Sequence, residues 1–418
     1  MEYAVLSYGL GVDSTAVILR WIFEPAMRPC RLENITIITS MTGDEFVDTA
    51  RDVVNHILPL FRRHQIRFVQ VARRGAKEAA GITILSDTRY PETLHIKGDF
   101  KLSDELAASG VVPSFSGAHT CSLKSKAVPI ETWLTTYYDQ STFGHAFGFS
   151  AEETKRVEKS EAAFSQRNVA FGFNTDELAR VQRAKEYDHA GRRGFYPLVE
   201  WGWDRQACLD YIQTTLGVEW KKSACVYCPF AHNKKNLVQL QIRQLAHPEQ
   251  TAEALMLEYM SLALNPRGSL YRSESLMTMT KRVRNSKALS LFEQMHQTDS
   301  WAIYRVRRLY AARASKDDSE PIRKGTVQRA VEKEDVFTSQ DEALRTLHLR
   351  AEKAGWDLFS EYDIQYAYVE YRKDGFPTRE EFYVVAPARV ETKTRYGVDK
   401  FNMQWEPQQF SIEFPACA

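Results

Sequence analysis

Eight residues near the start of the chain, Ser7-Tyr8-Gly9-Leu10-Gly11-Val12-Asp13-Ser14, have types and spacing suited to holding a phosphate. A phosphate needs several backbone N–H groups aimed at one point with no side chain in the way. Glycines between a strand and a helix permit that approach, and the helix adds its positive N-terminal end. Gly9 and Gly11 let the chain wrap the oxygens; Asp13, Ser14 and Thr15 fall in the helix's first turn, where they cap it or bind phosphate and Mg²⁺. The chain has neither GxxxxGK[ST] nor GxGxxG, so the Walker loop and the dinucleotide fingerprint do not apply. A turn that merely caps a helix is the other reading of the same residues.

Thiols form the second set. Of six cysteines, Cys225 and Cys228 in Cys225-Val226-Tyr227-Cys228-Pro229 lie within reach of one metal. Cys30 and Cys208 sit in apolar helical surroundings and read as buried small hydrophobes. Cys417 reads as an incidental tail residue, with a mobile nucleophile as the alternative.

The elements that must position these groups alternate. Tyr3–Ser7 is a short apolar strand, followed by helical spacing through Ser14–Ile22. Ile35–Thr39 and Ile66–Val71 are further strands, with a helix through Val53, Ile57 and Leu60 between them; Ala146–Phe149 and Val169–Phe173 supply two more. Such alternation predicts an α/β fold, a Rossmann-like parallel sheet with helices on both faces. Residues 82–118 read as a polar excursion over the binding face. From about residue 236 the spacing turns helical, Ala314–Pro321 reads as a linker, and a small α+β domain follows, with a hairpin through Asp374-Gly375. The predicted divisions are a nucleotide-binding domain over 1–235, a helical basic region over 236–315, a linker over 316–334 and a C-terminal domain over 335–418.

The glycine turn resembles the SGGxDS signature of the PP-loop superfamily, with Gly9 at the serine position and Leu10 at the first glycine; Gly11, Asp13 and Ser14 match. Four more segments are similar to its phosphoadenosine-phosphosulfate (PAPS) reductase branch, in the same order. These are Thr42-Gly43-Asp44-Glu45 with Thr49, and Cys121, Lys126 and Pro129 with Trp133-Leu134. Then come Gly148 to Arg156, where Ser150 replaces an arginine, and Tyr196 to Trp201 with Tyr211-Ile212. The resemblance covers roughly the first 235 residues. It implies a HUP-type sheet and a site for ATP, or PAPS, with Mg²⁺. That site would be built from Ser7, Gly9, Gly11, Asp13, Ser14, Thr15, Thr42, Gly43, Glu45, Gly148 and Arg156, with Asp13, Ser14 and Lys126 bearing on the chemistry. It also implies that Cys121 lies near the nucleotide. Three thiolates there, Cys121, Cys225 and Cys228, would hold a [4Fe-4S] cluster with one open iron, or Zn²⁺ completed by His119 or His232. Cluster, zinc and no metal remain three readings of the same spacing.

Between Arg267 and Arg313 ten Lys/Arg face three acids, with Tyr271, Trp301, Tyr304 and Tyr310 interspersed. That mixture reads either as a nucleic-acid surface or as a solvated helical face with its aromatics in the core. No run of eighteen apolar residues occurs, and the first residues lack a secretory pattern, so no membrane partner and a cytoplasmic location are expected. The functional expectation is an ATP-dependent enzyme that adenylates a substrate and supports sulfur transfer. Nucleic-acid thiolation, with partner proteins of a modification or defence system, is one setting for it. Sulfonucleotide reduction and a non-enzymatic nucleotide-sensing regulator are the alternatives.

Overall fold

A computed structural model describes residues 1–113, 120–165, 191–313, 323–394 and 397–405. The strand expected at 169–173, His119, the linker at 314–321 and Cys417 lie outside the described residues. The chain divides into two compact units: Met1–Asp104 with Phe115–Ala231, and Glu105–Ser114 with His232–Ala418.

The first unit is built on six strands, β1 (Ala4–Ser7), β2 (Ile35–Met41), β3 (Arg67–Arg73), β4 (Ile82–Thr88), β5 (Phe143–Phe147) and β6 (Arg192–Phe195). Their spatial order is β4-β3-β2-β1-β5-β6; all neighbours are parallel except β3 and β4. The pleat sends successive residues of β1 to opposite faces. Ala4 and Leu6 enter one apolar cluster, with Trp21 of helix Val12–Phe23 and Ile212 of helix Arg205–Leu216. Val5 enters the other, with Ile130, Trp133 and Leu134 of helix Val128–Thr136. Both faces are covered, as a parallel sheet requires. The expected polar excursion holds an antiparallel edge strand instead: β4 alternates between inward and outward residues with only one apolar face, so its signal resembles that of a loop.

The second unit has a six-stranded antiparallel sheet of its own. Its strands are β7 (Trp301–Arg313), β8 (Arg323–Phe337), β9 (Asp357–Glu361), β10 (Ile364–Glu370), β11 (Thr378–Pro387) and β12 (Lys393–Thr394), ordered β12-β8-β7-β11-β10-β9. The hairpin through Asp374-Gly375 joins β10 to β11 as expected. Helix Pro248–Leu264 is buried on every side from Ala254 onward, where its residues are apolar apart from Glu258, Tyr259 and Ser261.

Two expected divisions change. Residues 301–313, assigned to a helical region, and 323–334, assigned to a linker, are adjacent central strands paired over their length. Their arginines made them read as surface. In fact Arg308 is 5% exposed; its Nη1 donates to Glu380 Oε2 at 2.8 Å and its Nη2 to the Leu264 carbonyl. Tyr310 donates to the same carboxylate at 3.0 Å.

Removing one partner of such a buried pair leaves the other charge uncompensated, at a cost of about 3 kcal/mol or more. Glu380→Ala should therefore lower the stability of the second unit by that order, read as a shift in urea midpoint. A shift equivalent to less than about 1 kcal/mol would show that the pair contributes little.

Candidate functional site

The parallel strands run outward from β1 to β3, and the chain then returns to the other side of β1 to form β5 and β6. Reversal of strand order leaves a crevice at the carboxyl ends of β1 and β5, where open α/β sheets take ligands. A cavity of about 470 Å³ lies there. It is lined by Ser7, Gly9, Gly11, Asp13, Ser14, Glu45, Lys126, Gly148 and Arg156 of the expected set. Sequence reasoning did not single out Thr39, Ser40, Glu131, Phe147, Phe149 and Ser223, which also line it. Strand-end and loop residues of ordinary type, and a helical glutamate such as Glu131, carry no pattern to find them by; only the topology does.

The turn between β1 and helix Val12–Phe23 has the shape a phosphate cradle needs. Gly11 caps the helix with no side-chain hydrogen bond, so its first amides are not closed off by a cap. A Cβ on Gly11 would stand 2.9 Å from Ser223 Oγ, and one on Gly148 would stand 2.9 Å from the Ser14 amide nitrogen. Leu10, at the position where the family signature has glycine, takes a φ of +59° with its side chain buried. A left-handed leucine costs about 1 kcal/mol in backbone strain, and burying its side chain offsets this by about 2 kcal/mol. Trp220 Nε1 donates to the Leu10 carbonyl at 3.1 Å, and Ser223 Oγ to that of Gly9 at 2.8 Å, which fixes the turn.

Charge is arranged around it. Lys126 lies in the π-helical turn Leu123–Ala127 and donates to Glu45 Oε1 at 2.7 Å. Burial works against its ammonium, but the Glu45 carboxylate outweighs that and raises its pKa, so it stays a cation. Asp13 Oδ2 accepts from Arg205 Nη1 at 3.1 Å, while Oδ1 is buried with no hydrogen-bond partner among the described residues. Burial raises the Asp13 carboxyl above its usual range, with Arg205 opposing. Arg156 lies over the Phe149 ring at 4.3 Å, and Phe149 stacks on Phe147 and Tyr196.

Three residues of the expected set have structural roles and do not line the cavity. Thr15 is buried against Tyr8, hydroxyl to hydroxyl at 3.2 Å. Thr42 meets Cys225 Sγ at 3.3 Å, and Gly43 makes a left-handed turn at φ +87°. Ser150 is buried, its amide donating to Glu153.

The Cys-X-X-Cys segment is joined to the Thr42–Glu45 loop. Glu45 and Cys225 form an antiparallel bridge, Val226 N donates to Asp44 O, and Tyr227 donates to Asp44 Oδ2 at 2.5 Å. Burial pushes the Cys225 thiol well above its usual range; burial also raises Cys228, and Cys121 is close enough to add to the rise. Yet no three His, Cys, Asp or Glu side chains among the described residues stand where they could share a metal ion. His232 belongs to the second unit, stacked on Tyr271 at 4.3 Å and 3.4 Å from Glu274. Among the described residues Cys121, Cys225 and Cys228 do not converge on one point; His119 lies outside them.

The basic stretch also reads differently in three dimensions. Tyr271, Trp301, Tyr304 and Tyr310 are buried and cannot stack on bases. Arg305 pairs with Glu381, Arg307 with Glu332 and Arg308 with Glu380, so these three are neutralised within the sheet. No helix among the described residues is long and apolar enough to cross a membrane.

Compared with protein-family models, with curated proteins and with solved structures, the chain finds no match in any of the three.

Beneath the cavity floor, Ser7 Oγ lies 2.7 Å from Nε2 of the fully buried His145. Burial first, and Arg192 second, hold this imidazole well below its ordinary 6.5. An unfolded chain takes up a proton near 6.5 that the folded one refuses, so the stabilising contribution is full above that pH and is lost as pH falls below it. Stability should therefore fall between pH 7 and 5. Urea unfolding at the two pH values should show it, and His145→Gln should remove that portion of the difference. Equal pH dependence in both proteins would mean that His145 protonates in place.

Proposed function

We propose that the crevice binds an adenine nucleotide in the manner of the PP-loop enzymes, on a HUP-type sheet, and that the protein is an adenylating enzyme. The observation that carries this reading is the meeting, at one strand-order reversal, of an uncapped helix N-terminus, a pinned glycine turn and a lysine held as a cation. Each of the three favours a polyphosphate. In the proposed reaction an acceptor oxygen attacks the α-phosphorus of ATP. The bond to the β-phosphate breaks, pyrophosphate leaves and the acceptor's proton passes to solvent. A sulfide donor would then displace AMP from the acceptor, leaving the acceptor as a thiol.

Lys126 and the first amides of helix Val12–Phe23 stabilise charge that gathers on the phosphates, a positioning and electrostatic role. Because Lys126 stays protonated, it acts as a clamp and moves no proton. Asp13 Oδ1, buried and without a partner, fits a cation riding on the nucleotide, so Asp13 would hold Mg²⁺ there. Mg²⁺ would neutralise phosphate charge and orient the leaving pyrophosphate. Cys121, Cys225 and Cys228 are assigned no step in this reaction.

Calorimetric titration with ATP and with a non-hydrolysable analogue tests the binding half. Gly11→Val, whose side chain must displace Ser223, should abolish binding in a protein that remains folded by circular dichroism. Lys126→Met should weaken it by about 10- to 100-fold, the contribution of one hydrogen bond to a charged group. Unchanged affinity in a folded Gly11→Val variant would remove the reading. Pyrophosphate release from ATP tests the reaction half, and sulfite release from PAPS would point to a reductase instead.

A further inference from the structure

The pair beneath the cavity floor has the outline of a nucleophile and its base: a pocket-lining hydroxyl, Ser7, 2.7 Å from an imidazole nitrogen, His145 Nε2. The surroundings exclude that use. A base must accept a proton, and His145 is fully buried; among the described residues its far nitrogen Nδ1, also buried, has no hydrogen-bond partner and so no carboxylate. Arg192 lies close enough to oppose a second positive charge. An imidazolium has nothing there to stabilise it.

The orphaned Nδ1 also decides between the two neutral forms. If Nδ1 carried the hydrogen, a buried N–H would have no acceptor. If Nε2 carries it, the orphan is a lone pair, which is the lesser cost. With the hydrogen on Nε2, His145 donates to Ser7 Oγ. The serine's own hydrogen is then free to turn toward the cavity.

We propose that His145 is a positioning residue, held as the Nε2–H tautomer, that fixes Ser7 as a hydrogen-bond donor to a phosphoryl oxygen in the crevice. This inference rests on the nucleotide reading and adds to it. The family signature places a serine where this chain has Gly9; Ser7, two residues earlier at the end of β1, supplies a hydroxyl to the same cavity. His145 lies on β5, whose neighbouring residue Phe147 pairs with Ser7, so the two strands adjoining the crevice set the distance between hydroxyl and ring.

The test has two independent parts. In the first, nitrogen-15 NMR of the histidine side chains, assigned with His145→Gln, reads the tautomer in the ligand-free protein. A hydrogen on Nε2 that persists from pH 8 to 5.5 is expected; a hydrogen on Nδ1, or an imidazolium signal in that range, overturns the proposal. This result does not depend on whether a nucleotide binds. In the second, ATP is titrated into variants whose urea midpoints confirm folding. Ser7→Ala and His145→Phe should each weaken binding about tenfold. The double variant should be no weaker than Ser7→Ala alone, because His145 acts only through Ser7. His145→Gln, whose amide can donate from nearly the position of Nε2, should bind within about twofold of the unaltered protein. Loss in His145→Gln equal to that in His145→Phe, or full affinity in Ser7→Ala, overturns the proposal. If the unaltered protein bound no adenine nucleotide, the nucleotide reading would fall and His145 would be judged on its tautomer.

Discussion

Two hydrogen bonds reach back across 210 and 214 residues of sequence to hold the turn after β1: Trp220 Nε1 to the Leu10 carbonyl, and Ser223 Oγ to that of Gly9. With those carbonyls turned outward to donors, the opposite side of the turn can present amides. A turn with a leucine at positive φ has little intrinsic preference for this shape, so the shape depends on the later segment being in place. The strap that supplies the two donors also carries Lys221, which meets Asp48 at 3.2 Å, and Tyr227, which meets Asp44. One stretch of chain therefore organises both loops that border the crevice. The consequence is coupling: what disturbs residues 220–228 disturbs the phosphate turn without touching it.

The acids around the crevice illustrate how low exposure and charge coexist. Asp44, Glu45 and Asp48 are all buried, and each has a donor assigned to it: Tyr227 and Ser103, Lys126, and Lys221 respectively. Unmatched, each would carry a penalty of several kcal/mol. Matched, they hold four cationic or polar groups at fixed positions. The second unit applies the same logic to a sheet: Arg305, Arg307 and Arg308 lie along β7 opposite glutamates of β8 and β11. Hence a stretch rich in arginine is interior here.

Much of the first unit was legible in the sequence because its signals are local. The apolar runs of β1, β2 and β3 are buried on both faces, and the glycines fall where a strand gives way to a helix. Nine of the residues expected at the site do line one cavity. What could not be read depends on distance. Strand β7 has helix-like spacing of its aromatics, and only pairing with β8 and β11 makes it a strand. His145 has no neighbours in sequence that mark it; its meaning comes from Ser7, 138 residues away. Cys225 and Cys228 have the spacing of a chelate, but burial and the hydrogen bond to Thr42 give Cys225 a structural setting.

The second unit is discontinuous, taking Glu105–Ser114 from the middle of the first. That short segment is anchored by residues made much later: Arg329 donates to the Ser109 carbonyl, Glu391 N to that of Ala108, and Lys393 to Ser109 Oγ, 284 residues on. At a synthesis rate of about 5–20 residues per second, the segment emerges on the order of 15 to 60 s before its last partners exist. During that interval the ribosome-bound chain can close the sheet of the first unit, but it must leave residues 105–114 unsatisfied. Newly made protein should thus pass through a state with a finished first unit and an open loop, in which this segment is the natural point of attack for a protease or a chaperone.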